Sequence, residues 1–340
     1  MEKTRLGRTN LMVSRSGFGA IPIQRISIEA STRLLRKAFE QGINFFDTAK
    51  GYTDSEEKIG HALRDVRSQI TLATKSPASD KKGVLADIDN SLRRLQTDYI
   101  DILQLHNPSY VPRPGDEHGM YDALLEAKAS GKIRFLGLTN HRLHVAREAV
   151  ESDLYDTIQF PFNLLSDAKD LELIQIAKQH DVGAIAMKAL SGGLITNAAS
   201  AFAFLRQYDN VVPIWGIELE SQLDEFLAFE QQPPVLDDAM RQSIERDRRE
   251  LSGAFCRGCG YCLPCPVEIP IPMAARMALL MGRMPYQQFL SAEWKERMER
   301  IPQCIDCRQC ASRCPYELDT PALLKREYAA YQEFARQHAV

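Results

Sequence analysis

The sequence predicts an α/β fold: a (β/α)8 TIM barrel followed by a small C-terminal α-helical ferredoxin-like domain. Three observations carry this. Short apolar runs recur about 28 residues apart from Gly19 to Gly216, the size of one strand-plus-helix unit. Between them lie stretches such as VLADIDNSLRRL and LELIQIAKQH, with apolar residues at helical spacing. Beyond about Gln231 the pattern stops, and all eight cysteines fall between Cys256 and Cys314.

In chain order, KTRLGRTNLMVSRSG reads as two short extended pieces around a Gly-Arg-Thr-Asn turn. Eight strands then end near Gly19, Ala49, Lys75, His106, Asn140, Phe160, Lys188 and Gly216. An open doubly wound sheet would place a Gly-rich dinucleotide turn after the first strand, and SGFGAIP, with its proline, does not open a helix as that turn must. Domain boundaries are expected at 1–235 for the barrel and 236–340 for the tail. QQPPV serves as linker and DDAMRQSIERDRRELSG as a charged helix.

Composition narrows the function class. Apolar residues at 44% and charged residues at 26% are ordinary for a globular chain with a full core. A net charge of −3 argues against nucleic-acid or anionic-membrane binding. No apolar run reaches membrane-span length, and MEKTRLGRTN has no apolar signal core. Cysteines confined to one region fit a metal-binding tail in a reducing compartment, so a cytoplasmic location is expected.

A barrel of parallel strands puts every C-terminal strand end on one face. Asp47 with Tyr52, Lys75, His106, Thr139 with Asn140, Gln159 and Lys188 stand at those ends. Any one of them alone is more often an ion pair or a satisfied core polar group. Asp, Tyr, Lys and His on four strand ends have a joint use. A lysine ammonium favours tyrosinate and lowers the phenol pKa, an aspartate holds the lysine, and a histidine directs a carbonyl oxygen. The remaining histidines, His61, His118, His141, His144, His180 and His338, are expected on the surface or in loops.

The segments LGRTNLMVSRSGFGAIP, GINFFDTAKGYTDSEEKIGHAL, LATK, DYIDILQLH, GKIRFLGLTN and IQFPFNLL resemble the aldo-keto reductase superfamily from Thr4 to about Phe229. The resemblance implies a nicotinamide oxidoreductase acting on carbonyl or alcohol substrates. Its catalytic tetrad would be Asp47, Tyr52, Lys75 and His106, with Tyr52 the proton donor. It further implies that Thr139, Asn140 and Gln159 meet the nicotinamide and that Phe162 stacks on its ring. Ala189, Leu190, Ser191 and Gly192 would lie along the pyrophosphate. Gly216, Glu218, Gln222 and Glu225 would face the adenine end. Where relatives that prefer NADP often carry a basic or hydroxyl residue, this chain has Glu218, which favours NAD(H) over NADP(H).

The cysteine runs are Cys256-x2-Cys259-x2-Cys262-x2-Cys265-Pro and Cys304-x2-Cys307-x2-Cys310-x3-Cys314-Pro. The second is the full C-x2-C-x2-C-x3-C-P run of bacterial ferredoxins, and the first is one residue shorter. Three ligands from one run and the fourth from the other gives two 4Fe-4S clusters: Cys256, Cys259, Cys262 and Cys314 on one, Cys304, Cys307, Cys310 and Cys265 on the other. Zinc ribbons, built from paired C-x2-C motifs, fit these runs less well. Two helices, PMAARMALLMGR and PYQQFLSAEWKERMER, are expected in the insert between the runs.

The expected function is hydride transfer between a nicotinamide and a small carbonyl or alcohol substrate. The clusters would stabilise the tail or serve a redox protein partner. The rival expectation is an iron-sulfur electron-transfer or assembly subunit whose barrel binds nicotinamide without turnover. A third is epimerisation with the cofactor retained.

Overall fold

The computed structural model describes residues 1–251 and 255–338. The end of the expected charged helix, Ser252 and Gly253, lies outside them. The chain divides into two compact units, Met1–Ala189 with Ala199–Arg241, and Leu190–Ala198 with Gln242–Val340.

In the first unit, β1 (Lys3–Arg5) and β2 (Met12–Ser14) form an antiparallel hairpin. Its turn runs through Gly7 and Asn10 at positive φ. Eight strands follow: β3 (Gly17–Gly19), β4 (Phe45–Asp47), β5 (Thr71–Ser76), β6 (Ile100–His106), β7 (Ile133–Thr139), β8 (Thr157–Pro161), β9 (Gly183–Met187) and β10 (Val211–Gly216). All pair in parallel, and β10 closes on β3 to complete the barrel. The helices between them are α1 (Ile28–Glu40), α2 (Ser55–Leu63), α3 (Lys81–Leu95), α4 (Met120–Ala129), α5 (Leu143–Glu151), α6 (Ala168–Gln179), α7 (Ala198–Leu205) and α8 (Glu220–Gln231). Capping side chains set several starts. Ser27 accepts from Ala30 N, Asp80 from Gly83 N, and Asp167 from Lys169 N and Asp170 N.

Strand register fixes which residues face the barrel axis, because side chains alternate with period two. Phe45, Ala73, Ile102, Ile185, Val212 and Ile214 form one inner core cluster. Two residues further along β4, β5 and β6 come Asp47, Lys75 and Gln104, and another two along β6 comes His106. The pairings Lys75↔Gln104, His106↔Thr139 and Thr139↔Gln159 keep this set on the inner face. The apolar floor thus ends in a polar layer at the C-terminal mouth.

The second unit contains most of α9 (Asp238–Glu250), then α10 (Ile271–Ala274), α11 (Met277–Arg283), α12 (Ala292–Met298), α13 (Gln309–Ser312) and α14 (Thr320–Gln337). Each of the two helices expected in the insert is broken. The first divides at Ala275–Arg276, and the second is a 3-10 turn, Tyr286–Leu290, followed by α12 with Ser291 as its cap. Met277, Leu280, Met281, Phe289 and Met298 are buried and make the unit's core. Glu327 of α14 accepts from Ala278 N at 2.9 Å, satisfying the start of α11.

Candidate active site and cysteine cradles

Asp47 and Lys75 form the centre of the polar layer. Lys75 Nζ donates to Asp47 Oδ1 at 2.5 Å and to the Thr48 carbonyl at 2.6 Å. Gln104 Nε2 and Gln159 Nε2 donate to the same carboxylate at 3.1 and 3.4 Å. Asp47 is 2% exposed and Lys75 1%, so each charge needs the other. Burial pushes the Asp47 carboxyl up and the Lys75 ammonium down, and their contact opposes both shifts.

Tyr52 is delivered by the loop after β4. That loop is pinned to β5 by Thr48 N to the Ala73 carbonyl and Lys50 N to the Lys75 carbonyl, and Tyr52 N closes a turn on the Ala49 carbonyl. The Tyr52 ring centre lies 5.3 Å from Lys75 Nζ and 6.1 Å from the His106 ring, edge to face at 79°. The four residues expected to act together therefore meet at one place. The sequence led us to expect a lowered phenol pKa. Instead burial, with the Asp47 charge adding to it, holds the Tyr52 phenol above the ordinary tyrosine value. Burial, and then the Lys75 charge, push the His106 imidazole down to about 3, so it is neutral near pH 7.

Around this centre the expected cofactor residues take different positions. Gln159 Oε1 is buried and has no hydrogen-bond partner, an open acceptor suited to a carboxamide N–H. Thr139 Oγ1 lies 4.0 Å from Met187 Sδ. Asn140 is fully buried and internally satisfied, donating to the Pro108 carbonyl at 2.7 Å and accepting from Arg142 N at 2.8 Å. Phe162 does not face the mouth. In β8 the inner residues are Thr157, Gln159 and Pro161, so Phe162 points to the helical layer. There it is 0% exposed, with its ring centre 5.9 Å from Phe204 and 5.1 Å from Tyr208, and it offers no face for stacking. The inner-facing side chain at the end of β9 is Met187, which sequence reading passed over; Pro161↔Met187 register and the Thr139 contact place it at the mouth. Gln104 and His141 were missed too. His141, expected at the surface, is 6% exposed, and burial with the nearby Lys188, His106 and Arg142 holds its imidazole neutral.

At the end of β10, Gly216 is exposed. Glu218 pairs with Arg25 at 3.1 Å. Gln222 Oε1 accepts from Glu218 N and Leu219 N at 3.0 and 3.1 Å, so it caps α8. Glu225 is exposed, and Phe226 stacks on Trp215 at 4.2 Å. Ala189 ends the first unit's longer segment, and Leu190, Ser191 and Gly192 group with the second unit.

In the second unit the thiols surround two hollows. One is lined by Cys256, Cys259, Cys262 and Cys314. The other is lined by Cys262, Cys265, Cys304, Cys307 and Cys310. The hollows thus each draw on both runs, and Cys262 lines both. Burial first, then Cys259 and Cys314 among its neighbours, push the Cys256 thiol up, and burial with Cys256 and Cys259 pushes Cys262 up to about 12. Such crowding of thiols is resolved when they ligate iron as thiolates. Among the described residues, no three Cys, His, Asp or Glu side chains converge on a single-ion site.

A family model described as "Aldo/keto reductase family" matches residues 16–202, and one described as "4Fe-4S dicluster domain" matches residues 255–319. Among curated relatives, the aldo-keto reductase YhdN of Bacillus subtilis is 31% identical over 219 residues, covering 58% of this chain and 64% of the relative. The L-galactose dehydrogenase of Arabidopsis thaliana is 33% identical over 216 residues, covering 58% and 67%. The NADH-specific methylglyoxal reductase of Escherichia coli is 30% identical over 234 residues, covering 58% and 69%. Among solved structures, aldo-keto reductase AKR11C1 of Bacillus halodurans superposes with a TM-score of 0.63 at 25% identity, over 73% of this chain and 96% of that one. The barrel, its polar mouth and the matched segments together mean that the chain belongs to the aldo/keto reductase family of oxidoreductases and carries a 4Fe-4S dicluster domain at its C-terminal end.

Proposed function

We propose that the barrel mouth is the active site of a nicotinamide-dependent reductase of aldehydes, ketones or sugars, working in reverse as an alcohol dehydrogenase. The observation that carries this reading is the meeting of Tyr52, Lys75, Asp47 and His106, with the Lys75 ammonium 5.3 Å from the Tyr52 ring centre. A bound nicotinamide supplies or accepts the hydride. Tyr52 is protonated at neutral pH and gives its proton to the carbonyl oxygen as negative charge develops there. Lys75 stands beside the phenolate that remains and stabilises it, and Asp47 keeps Lys75 in place. Neutral His106 has one N–H to donate, which orients the substrate oxygen. Gln159 receives the carboxamide, Thr139 and Asn140 border it, and the Met187 thioether supplies the apolar contact that Phe162 cannot.

We assign Glu218, with Gly216, Gln222 and Glu225, to the adenine end. The Glu218 carboxylate favours the ribose hydroxyls of NAD(H), and the name of the NADH-specific relative supports that choice. Arg25 is held by Glu218, so Glu218→Ala should free a guanidinium for a 2'-phosphate. The NADP-to-NAD ratio of kcat/KM is then expected to rise about tenfold, and an unchanged ratio would remove Glu218 from selectivity.

The tail is read as holding two clusters, Cys256, Cys259, Cys262 and Cys314 on one and Cys265, Cys304, Cys307 and Cys310 on the other. Cys307 is exposed and the neighbouring Ile305 is 65% exposed, which favours one-electron exchange with a redox protein in a reducing compartment. An anaerobic assay with NADH and a carbonyl and sugar panel tests the whole reading. Alcohol formed in step with NADH consumed is expected. Cluster bleaching with no alcohol would instead establish an electron-transfer subunit.

A further inference from the structure

The second unit contains a buried arginine with no acidic partner. Arg276 is 8% exposed, and among the described residues no carboxylate pairs with its guanidinium. Its Nη1 donates to the Gly192 carbonyl at 3.2 Å, Nη2 reaches Met273 Sδ at 3.6 Å, and Nε has no partner. Arg283, seven residues on in α11, shows the contrast. It also holds this loop, at the Leu194 carbonyl, but it is matched by Asp247 at 2.9 Å and Glu250 at 2.5 Å. A buried guanidinium left without an anion costs several kcal/mol, so Arg276 calls for a counter-charge.

The backbone around it says where that charge would sit. A Cβ on Gly258 would lie 2.9 Å from Arg276 Cζ, and one on Gly192 would lie 2.9 Å from Nη1. Gly258 stands between Cys256 and Cys259, and both glycines have positive φ. The guanidinium is therefore wedged between the loop of the first cysteine run and the Leu190–Gly193 turn, with Cys256 as its electrostatic neighbour. Four thiolates around a four-iron core carry net negative charge, one unit more when the core is reduced.

We propose that Arg276 is a positioning residue that couples the charge of the cluster on Cys256, Cys259, Cys262 and Cys314 to the Leu190–Leu194 loop. One guanidinium serves both sides. Extra negative charge on the cluster draws it towards the sulfurs and loosens its bond to the Gly192 carbonyl. This rests on the reading above, that the cysteines hold four-iron clusters.

The test uses the full-length, cluster-loaded protein under argon. Iron and sulfide content and the reduced-state EPR signal come first; their absence from wild type would sink the cluster reading itself. With clusters present, hydrogen exchange of the 190–195 amides is compared in oxidised and dithionite-reduced protein. At least threefold faster exchange on reduction is expected, and equal rates overturn the coupling. In Arg276→Gln the loop should exchange fast in both states, and the midpoint potential of one cluster should become more negative. Arg276→Lys keeps the charge but loses the fork, so its potential should stay near wild type while the loop is released. If loaded Arg276→Gln keeps the wild-type potential and loop protection, the assignment is wrong. Should Arg276→Gln not retain iron, the Arg276→Lys comparison and the wild-type exchange measurement still decide.

Discussion

At the scale of the residue, burial governs the chemistry. The His106 imidazole titrates at about 3 in the fold and near 6.5 when unfolded. Between those values the unfolded chain binds the extra proton, so stability falls as pH falls from about 6.5 towards 3. One such group is worth about 2 kcal/mol by pH 5. His106→Gln should therefore lose less stability than wild type between pH 7 and pH 5, by about that amount, as measured by denaturant unfolding. Parallel acid limbs in the two proteins would mean that His106 is not held neutral by the fold. The same scale shows what a sequence can reveal. Asp47, Lys75 and His106 were legible because each ends an apolar strand. Phe162 was expected on the ring through the family resemblance alone, and strand parity places it elsewhere. From Gln159, an inward residue, the next inward position is Pro161, so Phe162 must face the helices. The same parity run from Ile185 would have pointed to Met187. His141 carries no such signal, since its burial depends on packing of the loop beyond β7 against the mouth.

At the scale of the element, the strands work because the barrel interior is filled without crowding. Gly137 of β7 shows how tightly: a Cβ there would lie 2.5 Å from Thr157 Oγ1 and 2.7 Å from Gln104 Cγ. Gln104 in turn donates to Asp47, so a methyl at this position would disturb a hydrogen-bond donor to that buried carboxylate. Gly137→Ala is expected to destabilise by about 1–3 kcal/mol and to reduce turnover. Calorimetry and a steady-state assay check the two effects, and a variant with wild-type values for both would show that the layer can yield. The eight strands were readable because each buries a short apolar run between helices of clear period. The broken helices of the insert were not, because MAARMALLMGR keeps helical spacing across the turn at Ala275–Arg276. At the break Arg276 lies between the cysteine loop and Gly192, tertiary contacts that no local pattern records.

At the scale of the whole molecule, the chain joins two units with different sources of order. The barrel rests on an apolar core and continuous strand pairing. Cys256–Pro270 contains no helix or strand among the described residues, and metal ligation is a source of order for such a cysteine-rich segment. Oxidative removal of iron with a chelator is expected to open residues 256–319 to protease while cuts within 17–187 stay absent. Unchanged cleavage of the tail would show that its fold stands without metal. The sequence marks the change of regime near Gln231 through the end of the strand-helix pattern and the onset of the cysteines. It does not show that Leu190–Ala198 groups with the tail. That grouping depends on Arg276 and Arg283, which bond carbonyls 84 and 89 positions earlier in the chain.

The most direct measurement is a comparison of wild type with Tyr52→Phe, on any carbonyl the panel identifies, for both turnover and dinucleotide affinity. Loss of the phenol should lower kcat by at least 100-fold, on the order of the contribution of a positioned proton donor, while the dinucleotide Kd stays within about twofold. Turnover preserved in Tyr52→Phe would contradict the assignment of Tyr52 as proton donor, and with it the chemistry proposed for the barrel mouth.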